Sequence, residues 1–138
     1  MKIVHTLVIS ALVLFSSALF AQCEAVMKMC EGYYDTGYIS DGQTYRALLD
    51  GDQVTEIELT LFGGNIYRFA ACSGNSEGNL IFSVYDRDKN ELFTNSQFSN
   101  AGYWDFVVES SMEVLVEARL DQNRSSSGCA ILLIGFKE

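Results

Sequence analysis

Acidic side chains at alternate positions can hold calcium, and the stretch VYDRDKNELF offers Asp86 and Asp88, followed by Asn90. A helix–loop–helix calcium loop also needs glycine at its sixth place and a bidentate glutamate at its twelfth. Counted from Asp86, those places hold Glu91 and Gln97, and neither fits. Alternating apolar runs lie on both sides. The stretch is therefore expected to connect the strands of a hairpin, where Asp and Asn suit turn geometry and bond to their own backbone. A surface calcium ion on Asp86, Asp88 and Asn90 is the rival expectation. No other cofactor is implied.

Catalysis has little to draw on. The one histidine, His5, falls in an N-terminal segment that reads as a leader, so the mature chain offers no imidazole base to its serines. The run GNSEG lacks the spacing of a nucleophile elbow. Paired acids alone can cleave a glycosidic bond, and Glu109, Glu113 and Glu117 are the candidates for a carboxylate-based hydrolase. Their spacing fits the solvated face of a strand better, so no catalytic residue is assigned.

Aromatic residues are the stronger hint. Tyr33, Tyr34, Tyr38 and Tyr45 gather near the start of the mature chain, and Phe98, Tyr103 and Trp104 bracket a loop. A ring in a loop offers a rigid apolar face with a polar edge, fit to stack on a sugar or hold a peptide side chain. Tyr33, Tyr34, Tyr38, Phe98 and Tyr103 are the candidate ligand-binding residues. The competing expectation has the tyrosines closing one end of the fold and Trp104 filling its core.

The leader is read from Lys2, the apolar run Leu7 to Phe15 and the small residues before Ala21. It predicts a secreted or periplasmic protein. The apolar run is shorter than the ~20 residues of a membrane span, so none is expected in the mature chain. Lipid attachment at Cys23 is a lesser rival, because Gln22 is a poor neighbour for it. Without residues 1–21 the chain keeps 8 basic and 18 acidic residues, a net charge of −10. Such a surface repels nucleic acid and anionic lipid. A glycan or an extracellular or envelope protein remains as partner. NRS at Asn123 would be a glycosylation site only in a eukaryotic host.

Those residues need elements to position them. From Gln43 onward the hydrophobic period is two. Ile57, Leu59 and Leu61 oppose Glu56, Glu58 and Thr60. Tyr67, Phe69 and Ala71 oppose Arg68, and Val114, Val116 and Ala118 oppose Glu113 and Glu117. CAILLIGFK is apolar on both faces, as a central strand would be. About eight strands between turn signals predict an all-β, two-sheet antiparallel sandwich of the jelly-roll kind over residues 43–138. Its expected core is Ile57, Leu59, Phe69, Phe82, Val84, Trp104, Phe106, Val116, Leu132 and Ile134. A head segment, residues 22–42, precedes it.

Four cysteines in an exported chain predict two disulfides. Residues 22–31 suit a short helix stopped by Gly32, with Val26, Met27 and Cys30 at helical spacing. In such a helix Cys23 and Cys30 stand about 10 Å apart, too far to bond. The helix and a Cys23–Cys30 bridge therefore exclude each other. Cys72 ends one strand and Cys129 begins another, and a Cys72–Cys129 bridge between those ends is the expected pair. Cys23–Cys30 follows by elimination, with the head as a loop.

GGNIYRFAACSG, LIFSVYDRDKNELF and GYWDFVVESSMEVLVEARL together resemble the bacterial pre-peptidase C-terminal domain. The shared pieces are a glycine-led Tyr-x-Phe strand, a Leu-x-x-x-Val-Tyr-Asp hairpin and a late Gly-Tyr strand, and the run spans Gly51 to Phe136. The resemblance implies a jelly-roll-like sandwich found beside secreted proteases, with some members binding calcium or matrix polymers. This chain departs from that pattern in carrying no protease, four cysteines and an extra head. The residues together favour a small exported binding module without catalysis, ahead of a structural or inhibitory protein, and both ahead of a hydrolase.

Overall fold

The computed structural model describes residues 21–34, 37–74 and 76–138. Residues 1–20, most of the expected leader, lie outside them. A helix, α1, occupies residues 21–31. Eight strands follow: β1 (Ile39–Asp50), β2 (Val54–Leu61), β3 (Asn65–Ser73), β4 (Leu80–Tyr85), β5 (Glu91–Thr94), β6 (Tyr103–Val108), β7 (Met112–Leu120) and β8 (Ser127–Lys137). A 3-10 turn, Asn95–Phe98, leads from β5 toward β6.

The strands make two antiparallel sheets. The front sheet has the order β1-β8-β3-β6 and the back sheet β2-β7-β4-β5. The β4–β5 hairpin is the innermost pair, and β3 with β6, β2 with β7 and β1 with β8 close around it in turn. Successive pairs fall in alternate sheets, which is the jelly-roll winding. The first strand begins at Ile39, four residues before Gln43, and its register with β8 shifts between Ser40 and Thr44.

Alternation explains the core. Leu61, Phe69, Phe82, Val84, Val116, Leu132 and Ile134 are buried between the sheets, with Ile57, Leu59, Trp104 and Phe106 packed at their margin. Full burial of Phe69 and Phe82 contributes roughly 3 kcal/mol each at the usual value per area. A second cluster lies on the other side of the front sheet. Cys72, Ala70, Ile131 and Leu133 turn outward there, and α1 covers them with Cys23, Val26 and Cys30. This explains why β8 is apolar on both faces: one face lines the sandwich and the other lies under the helix.

The disulfides correct the expected pairing. Cys23 bonds Cys129, and Cys30 bonds Cys72. Both Cys72 and Cys129 point outward from the adjacent strands β3 and β8, but Cys72 sits opposite Ile131 in the register, not Cys129. Helical spacing separates Cys23 from Cys30, so each helix cysteine takes the strand cysteine beneath it. Helix and Cys23–Cys30 bridge do exclude each other, and the helix is what forms. The bond to Cys129 also leaves the sulfur of Cys23 unable to carry a lipid.

Candidate functional site

The expected binding residues fall into three places. Tyr33, Tyr38 and Tyr103 come together on the outer face of the front sheet around Arg68. The guanidinium carbon of Arg68 lies 4.4 Å from the ring centres of both Tyr38 and Tyr103. The Tyr33 ring leans on Tyr103 with centres 5.3 Å apart. Tyr34 sits apart, beside Gly135, and its buried hydroxyl has no hydrogen-bond partner among the described residues. Burial pushes its pKa up, and the nearby Asp41 adds to this. Phe98 belongs elsewhere again. It stacks on Phe93 and contacts Trp104 at 4.3 Å, plugging the flank where β5 faces β6. Trp104 is half-buried there against the core between the sheets, and Tyr34 packs against the cluster under the helix.

Arg68 organises the first group. It is only 6 % exposed, on the strand position opposite Phe69. Its Nε and Nη2 donate to the two oxygens of Asp105 at 2.7 and 2.8 Å, and Nη1 donates to the carbonyl of Tyr33 at 2.8 Å. The register places Asp105 directly across from Arg68 on β6. The Arg68 hydrogen bonds hold the Asp105 carboxyl below the usual carboxylate range. Lys137 completes the group, its Nζ 4.6 Å from the Tyr38 ring centre.

The ledge this creates is open. A groove of about 500 Å³ is lined by Tyr33, Glu77, Tyr103, Trp104 and Asp105, together with Ala101 and Gly102. The Tyr33 hydroxyl donates to a carboxylate oxygen of Glu77, which fixes the ring from its far end. Desolvation raises the Tyr33 pKa, and the bond to Glu77 raises it further. Gly102 permits the arrangement: a Cβ there would come within 2.6 Å of the Tyr33 hydroxyl oxygen.

Asp86, Asp88 and Asn90 lie in the connection between β4 and β5, as expected of a hairpin. Asp86 Oδ1 accepts from the backbone N–H groups of Asp88 and Asn90, and Oδ2 accepts from the Asn90 amide, all at 2.9 Å. The bonds to Asn90 lower the Asp86 pKa. Both carboxylate oxygens thus serve the turn. No cluster of three metal-ligating side chains occurs among the described residues. Arg87 and Lys89 reach from this turn to Glu113 at 2.8 Å and Glu56 at 3.9 Å, so the hairpin leans over the outer face of the back sheet. Glu113 and Glu117 share that solvated face, and Glu109 follows β6 in a turn.

Sequence reasoning missed Arg68, which appeared only as the polar member of an alternating strand. It also missed Asn95, a fully buried amide. Asn95 accepts from the Phe82 N–H at 2.9 Å and donates to the carbonyls of Leu80 and Ala101 at 3.0 Å. It thereby sets the course of the loop that delivers Tyr103. Nothing in TNSQF separates such an amide from an ordinary loop residue.

The comparisons bear on the fold. No family model and no curated protein matches the chain. Among solved structures it is similar to Aeromonas hydrophila PliG, a periplasmic lysozyme inhibitor of g-type lysozyme. The TM-score is 0.54 at 15 % identity, over 75 % of this chain and 91 % of that one. Likeness at that identity establishes a common fold. No described helix is long and apolar enough to cross a membrane.

Proposed function

We propose that the chain is an exported, non-catalytic binding protein that docks on another protein and inhibits it, with the Tyr33–Tyr103 ledge as its contact. The observation that carries this reading is the state of Tyr103. Its ring is 40 % exposed yet held between the Arg68 guanidinium and Tyr33. An aromatic already fixed in place loses little freedom on association, which is what an interface anchor requires. PliG supports the reading in kind, since the same scaffold there carries inhibition of an enzyme in the periplasm. The mature chain's missing histidine and the solvated setting of its glutamates favour binding over hydrolysis.

The test uses the oxidised mature chain and a purified g-type lysozyme. Association measured by surface plasmon resonance and loss of lytic activity are expected. Tyr103→Ala should weaken both about tenfold or more. Gly102→Ala should do the same by displacing the Tyr33 ring, with circular dichroism of the variant checking that the fold persists. A chain that leaves lysis untouched but binds N-acetylglucosamine oligomers at Tyr103, read by NMR, would replace the protein reading with a glycan one. The exposed ring beside Glu77 and Asp105 is the feature that favours that second reading.

A further inference from the structure

The outer edge of β6 is unlike the other sheet edges. β6 pairs with β3 on one side and with nothing described on the other. Gly102 accepts from the Ala71 N–H at 2.8 Å, and Val108 from the Gly64 N–H at 2.7 Å. Bonding alternates along an antiparallel pair, so the main-chain groups of Tyr103, Asp105 and Val107 point away from β3. Natural edges are usually blunted by proline, lysine, a bulge or shortness. β1 has a register shift and β5 is only four residues long with one of its own. The outward face of β2 carries Glu56 and Glu58. β6 has six residues, an unbroken register with β3, no proline and no lysine. Its one charge, Asp105, is bound to Arg68. Val107 is 74 % exposed, the highest of the large apolar residues described.

A cleft of about 450 Å³ opens beside this edge, between the sheets. Leu61, Leu92, Phe106, Val107, Met112 and Val114 line it. β5, the edge strand of the back sheet, is only four residues long. Glu109 is the one charged residue among the described residues lining it. A ninth strand added beside β6 would extend the front sheet over this opening and lay every second side chain into it.

We propose that the β6 edge and its cleft receive an extended segment of a cationic partner protein by strand addition. The inference rests on the protein-binding reading above and adds a second contact surface beside the Tyr33–Tyr103 ledge. Charge selects the occupant. The whole chain carries −9, and the cleft presents Glu109 with no compensating cation, so a segment with apolar residues at alternate positions and flanking Lys or Arg is complementary. A second copy would bring like charge to the same place.

The experiment uses the full oxidised chain and two synthetic ten-residue peptides, alternating Val and Thr, one flanked by lysines and one by glutamates. The lysine peptide is expected to slow hydrogen exchange at Tyr103, Asp105 and Val107 and to bind about tenfold or more tighter than the glutamate peptide at low salt. Val107→Pro removes an outward N–H at an edge position where proline is tolerated, and should abolish binding while the melting temperature stays close to that of the parent. Val107→Lys guards against a folding defect in that variant, and should repel the lysine peptide. Equal affinity for both peptides, protection on another strand, or the same protection without peptide in a dimer seen by ultracentrifugation would each overturn the proposal. A lysozyme complex unaffected by Val107→Lys would remove the edge and keep the inhibitory reading. Peptide binding at the edge without lysozyme binding would do the reverse.

Discussion

Arg68 and Asp105 meet in a two-bonded, planar pair across β3 and β6, and the same guanidinium holds the carbonyl of Tyr33. One side chain therefore joins the front sheet, its edge strand and the chain segment leaving the helix. Asp105→Asn is expected to cost about 2 kcal/mol near neutral pH. That is below the roughly 3–5 kcal/mol of a fully buried pair, because the Asp105 side chain is 37 % exposed. Its pKa is depressed in the folded state, so the pair's contribution is present above about pH 4 and lost as pH falls through the folded value. Urea unfolding of parent and variant should differ at pH 7 and draw together as the pH falls below the ordinary carboxylate range.

Tyr33 carries the opposite dependence. Burial and the Glu77 bond favour its neutral phenol, so its contribution is complete below about pH 10 and declines above it. Absorbance of tyrosinate should show a late-ionising fraction among the seven tyrosines, coupled to loss of near-ultraviolet dichroism. Tyr33→Phe should reduce that fraction. Titration of all seven as ordinary phenols would contradict the packing described.

Asn95→Ala should destabilise by about 3 kcal/mol in denaturant unfolding. It strips partners from the Phe82 N–H and from two carbonyls inside the fold, and unsatisfied buried groups cost roughly 1–3 kcal/mol each. The loss should also loosen the loop before Tyr103, seen as faster amide exchange at residues 99–102.

Each disulfide closes a long loop, 106 residues for Cys23–Cys129 and 42 for Cys30–Cys72. Chain entropy assigns them about 5 and about 4 kcal/mol, respectively, when each is taken alone. The double substitution Cys30→Ser with Cys72→Ser should lower the urea midpoint accordingly, while the eight strands persist in circular dichroism. Partial proteolysis followed by mass mapping should then find cleavage between α1 and β1.

The fold was legible because it rests on alternation. Ile57, Leu59, Phe69 and Val116 announce a period of two, and the turn at Asp86–Asn90 announces itself by composition. The core residues expected between the sheets are all found there or at the margin. The site was only partly legible. Tyr33, Tyr38 and Tyr103 stood out by type, but what gathers them is Arg68, whose role depends on a cross-strand partner 37 residues away. The disulfides were misread because strand ends were assumed to meet. Two outward cysteines offset along neighbouring strands instead match two cysteines spaced along a helix. That match needs the helix laid across the sheet, and no local pattern records its placement.

The front sheet's winding sets an order of assembly. β8, last of the strands, threads between β1 and β3 and brings Cys129 with it. While it is still awaited, Cys23, Cys30 and Cys72 have only one another to oxidise with, and of their three pairings Cys30–Cys72 alone is native. Wherever oxidation outruns delivery of the final strand, the native pairs must then be reached by thiol–disulfide exchange, and yield should follow thiol buffer more closely than temperature.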